Sequence, residues 1–283
     1  MEYQKSKQHK YKGRIPQMHA MNIPAERWAK AIPERHSRRK FQSRQLQDDT
    51  AQQLRRFCDE FHPFRSVRSL LVEESPDELV TGAIGPFGKI SGAEAYMAFI
   101  VDESDPNGYA ALGYTGEGLI LEATAMGLDT CWIAGWLKRA DAELKTPLES
   151  NETLLAITPV GYAKEDLTFS EKVLKKATGS HGRKPLENLV TNEFEDLDEW
   201  IRESLELARF APSAGNMQPW RFRVESDSVL VRVAEKYTKN LKDRRLDCGI
   251  AMLHLEVGAL AHGVEGEWEF MGGHDVARFH TSP

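Results

Sequence analysis

Cysteine is scarce: Cys58, Cys131 and Cys248 are the three in 283 residues. None lies in a Cys-x-x-Cys pair and an odd one is left over, so neither a disulfide scaffold nor a zinc ribbon fits. Long apolar runs are missing too. The longest, around Leu112–Leu128, is broken by Glu117 and Glu122 and is too short and polar to span a bilayer. Nor is there a basic excess. The 37 Lys plus Arg against 43 Asp plus Glu leave a net charge of −6, which argues against nucleic acid as the main partner. No Gly-x-Gly-x-x-Gly follows a strand pattern, and no Gly-x-Ser-x-Gly or His-Glu-x-x-His occurs. Gly82–Ile90 imitates a phosphate loop but is one residue too long and ends in Ile where Ser or Thr is needed. His254 and His262 lack metal-ligand spacing with a carboxylate and read as helix-face or surface histidines, so no metal is expected. No charged-then-apolar signal opens the chain as given, and a soluble, cytoplasmic protein without a membrane partner is expected.

What is present is globular. Hydrophobic residues at 41% and charged residues at 28% exclude disorder, collagen and coiled coil. Residues 1–20 are polar and without apolar period; they read as a mobile arm, or as an over-long start with Met18 and Met21 as other initiators. Helices are expected over Asn22–Ile32, with Pro24 in the first turn, and over Leu46–Phe61, capped from Asp48 or Asp49. Ser69–Glu73 and Ala95–Val101 read as strands. Leu112–Gly127 reads as a buried helix stopped by Gly127, and Thr153–Tyr162 as a central strand covered on both faces. A charged connection over Ala163–Lys184 leads to a helix Leu197–Ala211, a strand pair Arg221–Glu225 and Val229–Ala234, and a helix Leu246–Gly263.

Two stretches echo one another. Gly113, Ala125, Gly127 and Trp132 recur at one common offset as Gly249, Ala261, Gly263 and Trp268. This reads as an internal duplication of an α+β half, with halves at 21–165 and 166–283.

Three short stretches could carry chemistry. Arg35-His36-Ser37-Arg38-Arg39-Lys40 gathers cations and a hydroxyl that could surround a phosphate, or it is a solvated charge run after a helix. Ala211-Pro212-Ser213-Ala214-Gly215-Asn216-Met217-Gln218-Pro219-Trp220 has small residues for close backbone approach and neutral polar groups for a ring edge; otherwise it is an ordinary connection pinned by Trp220. In Cys131-Trp132-Ile133-Ala134-Gly135, the last two residues either present N–H groups to a ligand or form a glycine-kinked strand exit. The basic run Lys236–Arg245 reads as a solvated face that could steer an anionic nicotinamide donor.

The three stretches together resemble the nitroreductase family of FMN-dependent oxidoreductases, over about residues 22–270. Leu121–Leu128 and Pro159-Val160-Gly161-Tyr162 add to the resemblance. It implies an α+β nitroreductase-like fold, a mixed sheet flanked by helices. It also implies that Arg35, Ser37 and Arg39 hold the FMN phosphate and ribityl end, with a backbone contact at His36. Arg183 adds a late basic contact to the phosphate. Pro212, Ser213, Ala214, Asn216 and Gln218 line the isoalloxazine, Ala134 and Gly135 offer N–H groups toward N5, and Lys89 supplies a cation near the pyrimidine ring. No side chain is assigned a catalytic role, because the flavin carries the chemistry: hydride from NAD(P)H to a nitroaromatic, a quinone or a similar acceptor. A flavin-binding protein without turnover is the alternative. Typical members are homodimers carrying the basic run and, soon after it, the Pro-Ser loop. Here the slot after the first basic run reads Phe57–Phe64 and lacks that loop. The departure resembles members in which one chain mimics the dimer, implying a monomer with one flavin.

Overall fold

The structure, a computed structural model, describes residues 23–80, 89–135, 137–143, 145–164, 182–192 and 197–282. The proposed N-terminal arm, residues 82–88 of the imitation phosphate loop and most of the charged connection lie outside the described residues. Helices α1 (Ala25–Glu34) and α2 (Asp48–Glu60) precede strands β1 (Val67–Val72) and β2 (Ala95–Asp102). Helix α3 (Gly108–Ala125), strand β3 (Asp129–Thr130), the short helix α4 (Arg139–Glu143) and strand β4 (Glu152–Gly161) complete the first half. Helix α5 (Glu199–Arg209), strands β5 (Trp220–Val224) and β6 (Ser228–Val233), helix α6 (Leu241–Ala261) and strands β7 (Gly266–Phe270) and β8 (Asp275–Thr281) follow.

The strands form two four-stranded sheets with one topology. The first runs β1-β2-β4-β3 and the second β5-β6-β8-β7, each strand replaced by the one four later, with antiparallel neighbours throughout. Parallel pairing enters through single bridges, Ser37 beside Thr130, Lys40 beside Ser91 and Val190 beside Phe222. Even the irregularities repeat: the β2–β4 register shifts at Phe99/Ile100 and the β6–β8 register at Val231/Arg232.

Helices α3 and α6 sit between the sheets and are buried nearly all round. Both end alike. Gly127 and Gly263 take the left-handed conformation (φ 79° and 72°), while Leu128 N–H donates to the Ala123 carbonyl and Val264 N–H to the Ala259 carbonyl, each at 2.9 Å. This glycine-terminated turn satisfies carbonyls that the last turn leaves open. The helices meet where both lack a side chain. A Cβ on Gly113 would sit 2.1 Å from the Leu246 carbonyl oxygen, and one on Gly249 2.0 Å from that of Ala110. Both relations shift by 136 residues, the separation of Trp132 and Trp268. The contact is therefore nearly self-reciprocal, as between two subunits related by a two-fold axis.

The core explains why β2 is apolar without a break. Ala95, Met97, Phe99 and Val101 join the main core shared by both halves, whereas Tyr96, Ala98 and Ile100 join a second cluster with Phe41, Leu79 and Ile90. With period two, a strand covered on both faces shows no polar alternation. Strand β7 has one covered face only, so Glu267 and Glu269 are exposed. Helix α2 begins after Gln47 without a side-chain cap; Asp48 and Asp49 sit in its first turn, where negative charge suits the helix dipole.

Candidate functional site

The basic run after α1 is fixed by the backbone of the first half. Arg35 ends the helix through its N–H to the Ala31 carbonyl, and Arg38 N–H donates to the Thr130 carbonyl on β3. Ser91 N–H in turn donates to the Arg39 carbonyl. So anchored, the run divides. His36 is exposed, its Nδ1 2.6 Å from the Glu34 carbonyl, while the Arg35 side chain turns inward and keeps only 8% exposure. Its Nε stops 3.7 Å from Glu117 Oε1 on α3 and has no hydrogen-bond partner.

Glu117 is fully buried and already engaged. The Trp132 indole donates to it at 2.7 Å, and His254 Nε2 on α6 lies at 3.0 Å. His254 places Nδ1 3.0 Å from the Leu207 carbonyl, which can only accept. This histidine on a helix face is thus a core residue with both nitrogens satisfied, and among the described residues no group of side chains is arranged to hold a metal.

Arg183 stands against Arg35. It donates to Asn216 Oδ1 and to the Phe210 carbonyl, both at 2.8 Å. Burial first, then the positive charge of Arg35, brings its guanidinium down to about 10, with Glu117 opposing. One buried and one half-buried guanidinium, the first with an unpartnered nitrogen, feel the charge of one carboxylate that His254 and Trp132 also use. Such an excess of buried positive charge is costly without an anion.

Next to this pair lies a cleft of about 220 Å3 built from both halves. Ser37, Arg39 and residues Cys131–Gly135 form one side; Pro212–Gly215 form another; Leu246, Asp247 and Ile250 of α6 close it. Ala134 and Gly135 leave β3's extension just after Ile133 pairs with Ile157, and nothing lies within 4 Å of where a Gly135 side chain would begin. The 213–218 loop is held in an unusual shape, with Gly215, Asn216 and Gln218 at φ 60°, 54° and 47°. Ser213 Oγ accepts Gln218 N–H at 2.9 Å, and Asp247 Oδ1 accepts Ala214 N–H at 3.0 Å.

Ser37, Arg39, Ala134, Gly135, Pro212, Ser213 and Ala214 are thus brought together as wall residues, with Arg35, Arg183 and Asn216 in the adjoining network. Gln218 is 2% exposed and turned to the returning chain: its Oε1 accepts Lys184 N–H and its Nε2 donates to the Gly182 carbonyl. Lys89 lines a separate charged depression with Asp77, Glu78, Lys138, Asp141 and Lys145. Sequence reasoning missed the α6 wall. Asp247, 3% exposed, is pushed up to about 7 by burial, against the Ala214 N–H and Arg244 Nη1 3.1 Å away. Its signal is an aspartate at the repeat position where the first half has Ala111.

The corresponding place in the other half is filled. At the same 136-residue offset, Ile250 becomes Tyr114, Ala134 becomes Phe270 and Asp247 becomes Ala111. Phe64 packs edge-on against Tyr114 at 5.2 Å and Phe270 at 5.3 Å between ring centres. Tyr114 Oη and the Trp268 indole both donate to buried Glu256 at 2.6 Å. No helix among the described residues is long and apolar enough to cross a membrane.

No curated protein matches the chain. A putative nitroreductase from Thermotoga maritima shares the fold at TM-score 0.62 and 20% identity, covering 94% of this chain and 96% of that one. A nitroreductase family protein from Streptococcus pneumoniae aligns at TM-score 0.44 and 14% identity, over 58% of this chain and 98% of its own. An FMN-dependent nitroreductase from Clostridium difficile aligns at 0.39 and 18%, over 48% and 88%. The family model described as "Putative TM nitroreductase" matches residues 28–259, from α1 to the end of α6, and the chain belongs to that nitroreductase family.

Proposed function

We propose that this protein is an FMN-dependent oxidoreductase that takes hydride from NAD(P)H and delivers it to a nitroaromatic, quinone or similar acceptor. The observation that carries the reading is the pair of buried Arg35, with its unpartnered Nε, and half-buried Arg183 beside a cleft walled by small residues from both halves. The chemistry of this donor set fits the group. Two guanidiniums offer planar donor pairs to a phosphate dianion, and Ala134, Gly135, Ala214 and Gly215 leave room for a flat ring to approach backbone N–H groups.

In this reading Arg35 and Arg183 hold the phosphate, with Ser37 and Arg39 toward the ribityl chain and His36 contributing backbone. Ala134 and Gly135 face N5, while Pro212, Ser213 and Ala214 wall the ring. Asn216 and Gln218 act through the loop, fixing its shape by their bonds to Arg183, Gly182 and Lys184. Lys89 reaches the ring only if its segment moves from the depression it lines. The flavin, when bound, accepts and passes on the hydride; the protein binds, orients and shields it. The chain is read as two halves divided near residue 165 and carrying one such site, since Phe64, Tyr114 and Phe270 occupy the reciprocal place.

The visible spectrum of the purified protein, followed by NADH or NADPH and then menadione or a nitrofuran, tests this. A flavin spectrum that bleaches and returns with acceptor is expected. A yellow protein that neither bleaches nor turns over is the flavin-binding alternative. A colourless protein that rejects added FMN refutes both.

A further inference from the structure

The 213–218 loop keeps two non-glycine residues, Asn216 and Gln218, and Gly215 in left-handed conformation. Backbone of this kind persists only where surrounding contacts over-determine it. Three contacts hold its far end: Ser213 Oγ to Gln218 N–H, Arg183 to Asn216 Oδ1, and Lys184 N–H to Gln218 Oε1. The end that walls the cleft is held by Asp247, which accepts Ala214 N–H from inside α6 and itself lines the cleft. A burial requirement of the helix does not explain the aspartate, because the pseudo-equivalent position, equally buried in α3, is Ala111. The carboxylate occurs in the half that has a cleft and is missing from the half that aromatic rings fill.

We infer that Asp247 is a positioning residue of the cleft, whose carboxylate fixes the Pro212–Gly215 wall by holding the Ala214 N–H. The charged groups facing it are Arg244 and Asp243 on its own helix, with Cys248 beside it, and Arg39 on the opposite side of the cleft; the loop presents the Ala214 N–H. An ionised carboxylate accepts a hydrogen bond more strongly than a neutral one. The wall therefore tightens as pH rises through about 7, where burial has moved this group.

The inference rests on the FMN reading only in its binding arm, so two measurements keep them apart. Exchange of the Ala214 amide with solvent is followed by NMR in the ligand-free protein, and FMN affinity by flavin fluorescence, for the wild type, Asp247→Ala, Asp247→Asn and Arg35→Ala. Asp247→Ala should speed Ala214 exchange and weaken FMN, each about 10-fold. Asp247→Asn keeps an acceptor oxygen; it should restore protection and abolish the extra protection that the wild type gains between pH 6 and 8, after correction for intrinsic exchange. Arg35→Ala should weaken FMN while leaving Ala214 protected. Failure of the wild type to bind FMN overturns the cofactor reading and leaves the amide measurement to decide on Asp247. Should Asp247→Ala not fold, the pH profile of Asp247→Asn decides. Unchanged Ala214 exchange in Asp247→Ala, or an unaltered pH profile in Asp247→Asn, overturns the inference.

Discussion

Gly249→Ala puts the packing of the two halves to a quantitative test. The new methyl carbon would lie 2.0 Å from the Ala110 carbonyl oxygen, whereas such contacts are essentially never shorter than 3.0 Å. Helix α6 must therefore retreat from α3 by about 1 Å, because a carbonyl inside a helix cannot swing away as a side chain can. Replacing a mid-helix glycine by alanine contributes up to about 1 kcal/mol in favour of the variant. Overpacking a close helix contact costs about 1–3 kcal/mol, and more where the obstacle is backbone. We expect a net loss of about 2 kcal/mol and a thermal midpoint lower by about 5 °C. Gly113→Ala meets the Leu246 carbonyl at 2.1 Å and should cost the same within about 1 kcal/mol. The double variant is the sharper measurement. Once one methyl has parted the helices the second finds space, so urea denaturation should give a combined loss at least about 1 kcal/mol below the sum. A neutral Gly249→Ala, or strict additivity, would refute the reciprocal contact.

FMN titration followed by absorbance should saturate at one equivalent per chain, and two equivalents would mean that the aromatic plug opens. Arg183→Lys loses the planar fork that reaches both the Phe210 carbonyl and Asn216, and should lower stability by about 1–3 kcal/mol in chemical denaturation; an unchanged midpoint would dismiss its role in the loop. Burial raises Asp247 from 3.8 to about 7, so the folded state binds the proton more tightly than the unfolded one. Stability from this group is accordingly present below the unfolded value and lost as pH rises toward 7, with a ceiling of about 4 kcal/mol. Asp247→Asn should flatten that decline in thermal melts, and an identical pH slope in both proteins would contradict it. Burial pushes the Cys58 thiol up to about 12 and Cys248 well above its ordinary range, so neither should react with a thiol reagent in the folded protein. Cys131 is as buried as Cys58 but lines the cleft, so whatever slow labelling occurs should reach it first and be blocked by added FMN; prompt labelling of Cys58 would count against the packing.

The parts of the fold legible in the sequence are those whose signal is local. Leu112–Gly127 reads as a buried helix because it is rich in Leu, Ala and Gly and ends in a glycine, and the structure adds only its first turn from Gly108. The common offset of Gly113, Gly127 and Trp132 with their counterparts is visible because each residue type is demanded by its own geometry: a close contact, a left-handed turn, an indole against a buried glutamate. What failed to show depends on distant partners. The basic run ending at Arg245 reads as a solvated face, yet Arg244 and Arg245 are buried within α6. Arg245 donates to the carbonyls of Met271, Gly273 and Asp275 and to Asn107 Oδ1, partners 26 to 138 residues away. Strands β7 and β8 escape notice because a sheet covered on one face interleaves charge with apolar residues in short segments, Glu267 and Glu269 among them. In the site, side-chain direction is the hidden quantity. Gln218 belongs to the most distinctive motif of the chain, but its amide is consumed by Gly182, Lys184 and Asn216.

Two sheets of like topology in one chain change what each residue can do. In a pair of identical chains around a two-fold axis every substitution appears in both sites, so a residue that seals one seals the other. In one chain the equivalent positions are set separately, and here they have been: Asp247 against Ala111, Ile250 against Tyr114, Ala134 against Phe270. A cleft exposes apolar wall and leaves polar groups such as Arg35 Nε without partners, both unfavourable in the unliganded protein. Filling the twin of that cleft with buried Phe64 and Tyr114 and half-buried Phe270 covers aromatic surface, and a large ring as buried as that of Phe64 is worth about 3–5 kcal/mol against alanine. The shared core couples the two outcomes, because α3 and α6 each line one of them and lock together at Gly113 and Gly249. The stability of the sealed side is thereby transmitted to the helix that carries Asp247, and the open side can keep strained backbone and buried charge that an isolated half could not hold.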